Sequence, residues 1–217
     1  IHVETTVPQV FAESDVATLA RIVDASNNKE LSEWWSSGAW QTNENSQYAQ
    51  VIWNDENPRR LVKLYMYQMG NSFTKEVDLS ALDKLQLSLY GNRVEKLTLP
   101  KNSTVLSSLM LAGNTPLSTL IVSMYPALEY LDVSNTGLKA CDVSNNKNLR
   151  GLFLGWTEIK PIEETCPEIA ALLQTYGVPK TTTSIDLDRF PALKALHTSG
   201  SALEFSGVQN PRRLKKR

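Results

Sequence analysis

The stretch 106–157 contains LSSLMLAGN at Leu106–Asn114, LEYLDVSNT at Leu128–Thr136 and LRGLFLGWT at Leu149–Thr157. Each segment has leucine at +0 and +3, an aliphatic residue at +5 and Asn or Thr at +8, and the starts are 22 and 21 residues apart. Self-similarity at that period marks stacked coils, each too small to bury its own apolar face. The residues at +0, +3 and +5 are expected to point into the coil and to stack on their counterparts one coil away. Small polar residues at +8 (Asn92, Asn114, Thr136, Thr157 and Ser201) turn the chain and bond backbone groups that a bend leaves open.

Between the main segments lie second half-repeats such as KACDVSNNKNL at Lys139–Leu149. This combination resembles secreted bacterial leucine-rich-repeat proteins of the Bacteroides type. The resemblance implies an exported, often surface-anchored protein. With the periodicity, it predicts an α/β fold: a curved leucine-rich-repeat solenoid. A short parallel sheet lines its concave face, the convex face is extended or irregular, and a helical cap sits at the N-terminus.

Extended in both directions, the pattern gives seven main segments, starting at Leu61, Lys84, Leu106, Leu128, Leu149, Ile169 and Leu193. Two fit less well: Lys84 stands where a leucine belongs, and Gln174 falls at an inward position. The half-repeats begin near Val94, Leu117, Leu138, Ile159 and Thr182. Three parts follow: a helical, Trp-rich cap at 1–57, a solenoid of about seven coils at 58–206, and a basic C-terminal tail at 207–217. In the cap, SDVATLARIVDA at 14–25 carries the stripe of an amphipathic helix, with Ser14 and Asp15 as N-cap and first-turn residues. A shorter helix or turn is expected over Lys29–Trp35, and Gln41–Gln47 reads as an exposed loop. Trp34, Trp35, Trp40 and Trp53 are read as the cover over the apolar end of the first coil rather than as a ligand platform.

Composition narrows the function. A net charge of −1 leaves no overall field to recruit nucleic acid, and no apolar run is long enough to span a membrane. Cys141 takes a buried place in its half-repeat with Ile162 stacked beside it, and Cys166 lies four residues further on, roughly 13 Å along extended chain. That distance predicts two free thiols, Cys141 buried and inert. No nucleophile-elbow, zinc-protease or phosphate-loop motif occurs. Asp132 and His197 are expected three coils apart, about 14 Å, too far to act as base and orienter. Asp142, Glu163 and Asp186 form an acidic row on the convex side; stacked carboxylates suit calcium, but the row reads as a solvated outer face. No catalytic residue, cofactor or metal is therefore expected.

The residues that the repeat leaves free are those at +2, +4, +6 and +7. They place Tyr65, Tyr67, Tyr90, Met110, Tyr130, Asp132, Phe153, Trp156, Leu173, Tyr176 and His197 on the concave face. An exposed aromatic stripe marks a contact surface. The expected function is non-catalytic recognition of a protein partner by a monomer at the cell surface or outside the cell. A carbohydrate-binding surface protein and a structural or assembly subunit are the alternatives.

Overall fold

The computed structural model describes residues 9–155 apart from 43, 84, 102 and 140, and residues 190–197; it also gives the backbone of 184–186, 204–206 and 215–216, with 197 likewise described by backbone alone. Two helices open the chain: α1 at Glu13–Ala25 and α2 at Lys29–Ser36, followed by a single 3-10 turn at Ala39–Thr42. The strands are β1 Ala49–Trp53, β2 Leu61–Met66, β3 Glu76–Asp78, β4 Gln86–Ser88, β5 Lys96–Thr98 and β6 Ser108–Met110. They continue with β7 Tyr130–Asp132, β8 Gly151–Phe153, β9 Ser184–Asp186, β10 Ala195–His197, β11 Glu204–Ser206 and β12 Lys215–Lys216. One eight-stranded sheet has the order β1-β2-β4-β6-β7-β8-β10-β12, and two small sheets pair β3 with β5 and β9 with β11. From β2 onward the main sheet is parallel. Between β2 and β8 the described links are coils rather than long helices.

The repeat explains why the strands are so short. After β2, which runs from +0 to +5, only the +2 to +4 residues of each described coil run extended, and the +3 leucines register across the sheet as Leu64, Leu87, Leu109, Leu131, Leu152 and Leu196. The first five of these are completely buried, as are Met66, Leu89, Leu111, Val133 and Leu154 at +5. Each buried aliphatic side chain contributes about 1.5–3 kcal/mol, realised only when a neighbouring coil covers it. The second half-repeats close the other side of the core with Leu117, Val122, Tyr125, Leu138 and Val143. Leu82 and Leu85 are buried beside position 84 and supply the apolar volume that a +0 leucine would have given.

Polar side chains lock the coils together from inside. Asn114 is fully buried; its amide donates to Leu89 O and Leu111 O, both at 2.8 Å, and its Oδ1 accepts from Val94 N–H at 3.0 Å. Asn92 repeats the arrangement one coil earlier, with Met66 O, Leu89 O and Met69 N–H. Thr136 keeps only the bond to its own coil, Oγ1 to Val133 O at 2.7 Å. These are the +8 positions. Immediately before them, at +7, the backbone is left-handed at Gln68, Gly91, Gly113 and Asn135, and their N–H groups continue the ladder to Tyr90, Ala112, Ser134 and Gly155 carbonyls. Space is tight there as well, since a Cβ on Gly113 would lie 3.2 Å from Gly91 Cα.

The cap continues the core of the repeats at its N-terminal end. Trp34, Trp40 and Trp53 are buried. Trp35 stacks on Trp40 with ring centroids 4.7 Å apart, and Phe11 meets Trp53 edge-on at 4.8 Å. The indole N–H groups are spent on backbone carbonyls, Trp34 on Glu44 O and Trp53 on Trp40 O. The Gln41–Gln47 segment is largely exposed, as its composition predicts.

Several expectations need correction. Ser14 does not cap α1: the N-cap is Ala12, without a side-chain cap bond. Asp15 does stand in the first turn of α1, and it is only 1% exposed. It takes a two-pronged bond from Arg60 (2.9 and 3.1 Å) and a third from Leu61 N–H at 2.8 Å, tying α1 to the start of the repeats. Arg60 also reaches Asp83 at 2.8 Å, and the hydrogen bond to Asp15 is the main cause holding its pKa above the ordinary arginine value. Asp142, expected on the solvated outer row, is 4% exposed. The expected Ile169 segment lies outside the described residues; among those described, β8 pairs directly with β10. Residues 215–216 of the expected basic tail form β12 beside β10. The periodicity also gives no hint of β1, which pairs antiparallel with β2, or of β3, one coil ahead of β5 in the small convex sheet.

Candidate binding face

The register of the parallel strands assembles the outward residues into columns. Tyr65, Ser88, Met110, Asp132, Phe153 and His197 are consecutive partners at +4. At +2, Ser108, Tyr130, Gly151 and Ala195 follow one another, after Lys63 and Gln86. The concave face thus runs where the repeat places it, with one strand fewer between β8 and β10. Tyr90 and Tyr130 are 48% and 43% exposed, while Tyr65, Tyr67, Met110, Asp132 and Phe153 are half-buried. Trp156, Leu173 and Tyr176 lie outside the described residues, and of His197 only the backbone is described.

Two aromatic clusters stand on this face. At its start, Tyr65 and Tyr67 of the first coil adjoin Tyr90 of the second, linked by the Gln68 N–H bond to Tyr90 O at 2.8 Å. Further along, Tyr130 and Phe153 lean over Gly151. A Cβ built on Gly151 would lie 2.9 Å from Tyr130 Cδ1 and 3.1 Å from Phe153 Cε2, so a side chain there would displace the rings. Beside them Asp132 is partly committed, its Oδ1 accepting the Ser134 N–H at 2.9 Å. Arg150 and Glu129 form an exposed ion pair at 3.4 Å.

The face also reaches further than the repeat indicates. Strand β1 alternates inward Ala49, Val51 and Trp53 with half-exposed Gln50 and Ile52, and register sets Gln50 opposite Tyr65 and Ile52 opposite Lys63. The signal was an alternation in AQVIW, hidden by an isoleucine on the outward side.

Nothing in this arrangement brings acid and base together. Asp132 and His197 share a column two strands apart, with Phe153 between them, about 10 Å at the usual strand spacing rather than the three-strand distance expected. Among the described residues no group of three or more His, Cys, Asp or Glu is placed to hold a metal ion. Cys141 is a free, partly buried thiol, pushed up to about 12 by burial and, second, by the charge of Asp142. Cys166 and the Glu163 and Glu164 carboxylates lie outside the described residues.

Parallel single-turn strands stacked at a 22-residue period, inward leucines in register and buried asparagines on the bend decide the architecture. The fold is a leucine-rich-repeat solenoid. The chain is similar to the leucine-rich-repeat ectodomain of the receptor kinase SOBIR1 from Arabidopsis thaliana, with a TM-score of 0.51 and 14% identity over 96% of this chain and 99% of that one. No family model and no curated protein sequence matches the chain. The leucine-rich-repeat architecture therefore rests on its geometry and on a solved ectodomain of distant sequence. No helix among the described residues is long and apolar enough to cross a membrane.

Proposed function

We propose that this solenoid is a non-catalytic recognition protein that binds a protein partner through its concave face, and that it does so as a monomer. One observation carries the reading: four of the chain's seven tyrosines, Tyr65, Tyr67, Tyr90 and Tyr130, stand on a face whose intervening leucines are completely buried. Tyrosine offers a large, stiff contact area with a polar tip at low entropic cost. Such residues are enriched where proteins meet. Nothing in the core requires them at those positions. The likeness to a receptor-kinase ectodomain supports a recognition role, and the resemblance to exported bacterial repeat proteins supports placement outside the cell or on its surface.

A second reading, carbohydrate binding, is favoured by the Tyr130–Gly151–Phe153 cluster. A ring seated over glycine presents an open face on which a sugar can stack. The triple variant Tyr67→Ser, Tyr90→Ser, Phe153→Ser is expected to keep the wild-type melting curve and lose partner capture from extract at least about tenfold, as loss of hot-spot aromatics does. Gly151→Ala is expected to shift Tyr130 and weaken capture with little effect on melting. Undiminished capture by the triple variant would place the partner elsewhere. Capture that glycans compete away would favour the carbohydrate reading.

A further inference from the structure

Among the described residues, four buried side-chain oxygens lack any hydrogen-bond partner: Ser123 Oγ, Asp142 Oδ2, Ser144 Oγ and Asn146 Oδ1. They are not scattered. In the half-repeat alignment LSTLIVSMY over LKACDVSNN, Ser123 and Ser144 hold the same position in successive coils, 21 residues apart. Asn146 is fixed against the earlier coil by its amide N–H groups, which donate to Val122 O and Tyr125 O, both at 2.8 Å. That orientation leaves Oδ1 aimed away from the two carbonyls. Asp142 Oδ1 accepts the Ser144 N–H at 2.9 Å, which leaves Oδ2 as the spare oxygen. Asp142, Ser123 and Asn146 are 4%, 4% and 0% exposed.

Asn92 and Asn114 have no such remainder, because each spends its Oδ1 on a backbone N–H. Asn146 Oδ1 takes no donor, and Asp142, Ser144 and Ser123, which hold the other partnerless oxygens, stand in the same half-repeat and the one before it. A carboxylate oxygen and an amide oxygen are both acceptors and cannot satisfy one another. Burying a carboxylate demands a compensating positive charge or full hydrogen bonding. All four oxygens are hard donors of the kind that calcium takes, whereas magnesium insists on a regular octahedron and keeps its own water.

We propose that the half-repeats 117–125 and 138–146 hold a calcium ion on Asp142, Asn146, Ser123 and Ser144. With a single carboxylate the affinity falls in the weak, extracellular range of about 10⁻⁴–10⁻³ M. The ion ties the two coils together beneath the convex surface, on the side opposite the tyrosine face.

The test uses the full chain, stripped with EDTA and melted with calcium chloride, with magnesium chloride and with sodium chloride of equal ionic strength. A calcium concentration tenfold above the dissociation constant is expected to raise the melting temperature by roughly 3–6 °C. Magnesium and sodium should give little or no rise. Asp142→Asn keeps an oxygen for the Ser144 N–H, so it is expected to fold and to lose the calcium response. Ser144→Ala removes only an unpartnered hydroxyl and is expected to fold normally and weaken the response several-fold. A wild-type chain that melts at the same temperature with and without calcium would overturn the site. So would an Asp142→Asn variant that still responds in full, or an equal response to magnesium.

Discussion

Asn114 is the most exacting test of how the coils are held. Replacing it with alanine leaves the N–H of Val94 without a partner and takes a second donor from two carbonyls, Leu89 O, which keeps the Asn92 amide, and Leu111 O, which keeps the backbone N–H of residue 114, at a position with no exposed surface. A buried group left unpaired costs about 1–3 kcal/mol and each further lost hydrogen bond about 0.5–1.5 kcal/mol, so the substitution is expected to lose roughly 2–6 kcal/mol in total. That is a large share of the 5–15 kcal/mol typical of a domain. Asn114→Thr should fall between, because Thr136 shows that a threonine at this position keeps the bond to its own coil and drops those to the preceding one. Urea unfolding followed by far-ultraviolet circular dichroism measures the loss. Tryptophan fluorescence alone would not, because four of the five indoles sit in the cap. Hydrogen exchange adds a local readout: the Val94 amide should lose its protection in Asn114→Ala. A loss below about 1 kcal/mol, with the Val94 amide still protected, would mean that leucine packing alone sets the coil and that the asparagine ladder is incidental.

Two further outcomes follow from buried groups elsewhere. Asp15→Ala strips the cap of its tie to Arg60 and Leu61 and should cost about 3 kcal/mol, the usual consequence of breaking a buried ion pair; part of the charge on Arg60 remains answered by Asp83, and urea unfolding read by tryptophan fluorescence is the measurement. Burial pushes both Tyr125 and Cys141 up to about 12. Both pKa values are raised in the folded state, so their contribution is complete below the unfolded values of about 9 for the thiol and 10 for the phenol. It is lost as pH climbs from there toward 12. Stability measured against pH should therefore decline across that alkaline window, less steeply in Tyr125→Phe, and the Cys141 thiol should react with a thiol reagent at pH 8 only when the chain is unfolded.

The inward residues were legible because a solenoid repeats its physics locally: the same leucine meets the same environment every 21 or 22 residues, and no distant contact is needed to infer it. For the same reason the +4 column from Tyr65 to Phe153 was readable in order. What escaped depended on partners far along the chain. Nothing near Asp15 announces that Arg60, 45 residues away, will bury it. The +4 place of a second half-repeat looks outward in the ideal coil, but at Asp142 the side chain folds back to accept the Ser144 N–H and is covered. The direct bonding of β8 to β10 was not legible either, since repeat wording alone cannot say which strands will be neighbours in a ladder. Aromatic letters on free positions located a face. Its extension onto β1 was missed because that strand belongs to no repeat.

Strand β1 has one more consequence, for how such a chain could have lengthened. A parallel array with a bare first strand can accept a duplicated coil at that end as readily as anywhere else. Here the first rung is the far arm of a hairpin, bonded through Ala49–Trp53 to β2 in the opposite direction and overlaid by the indole cluster. A new coil placed ahead of β2 would have to separate that hairpin and part α1 from Arg60. An inserted coil is therefore expected to be accommodated downstream, between coils that already match, rather than ahead of β2.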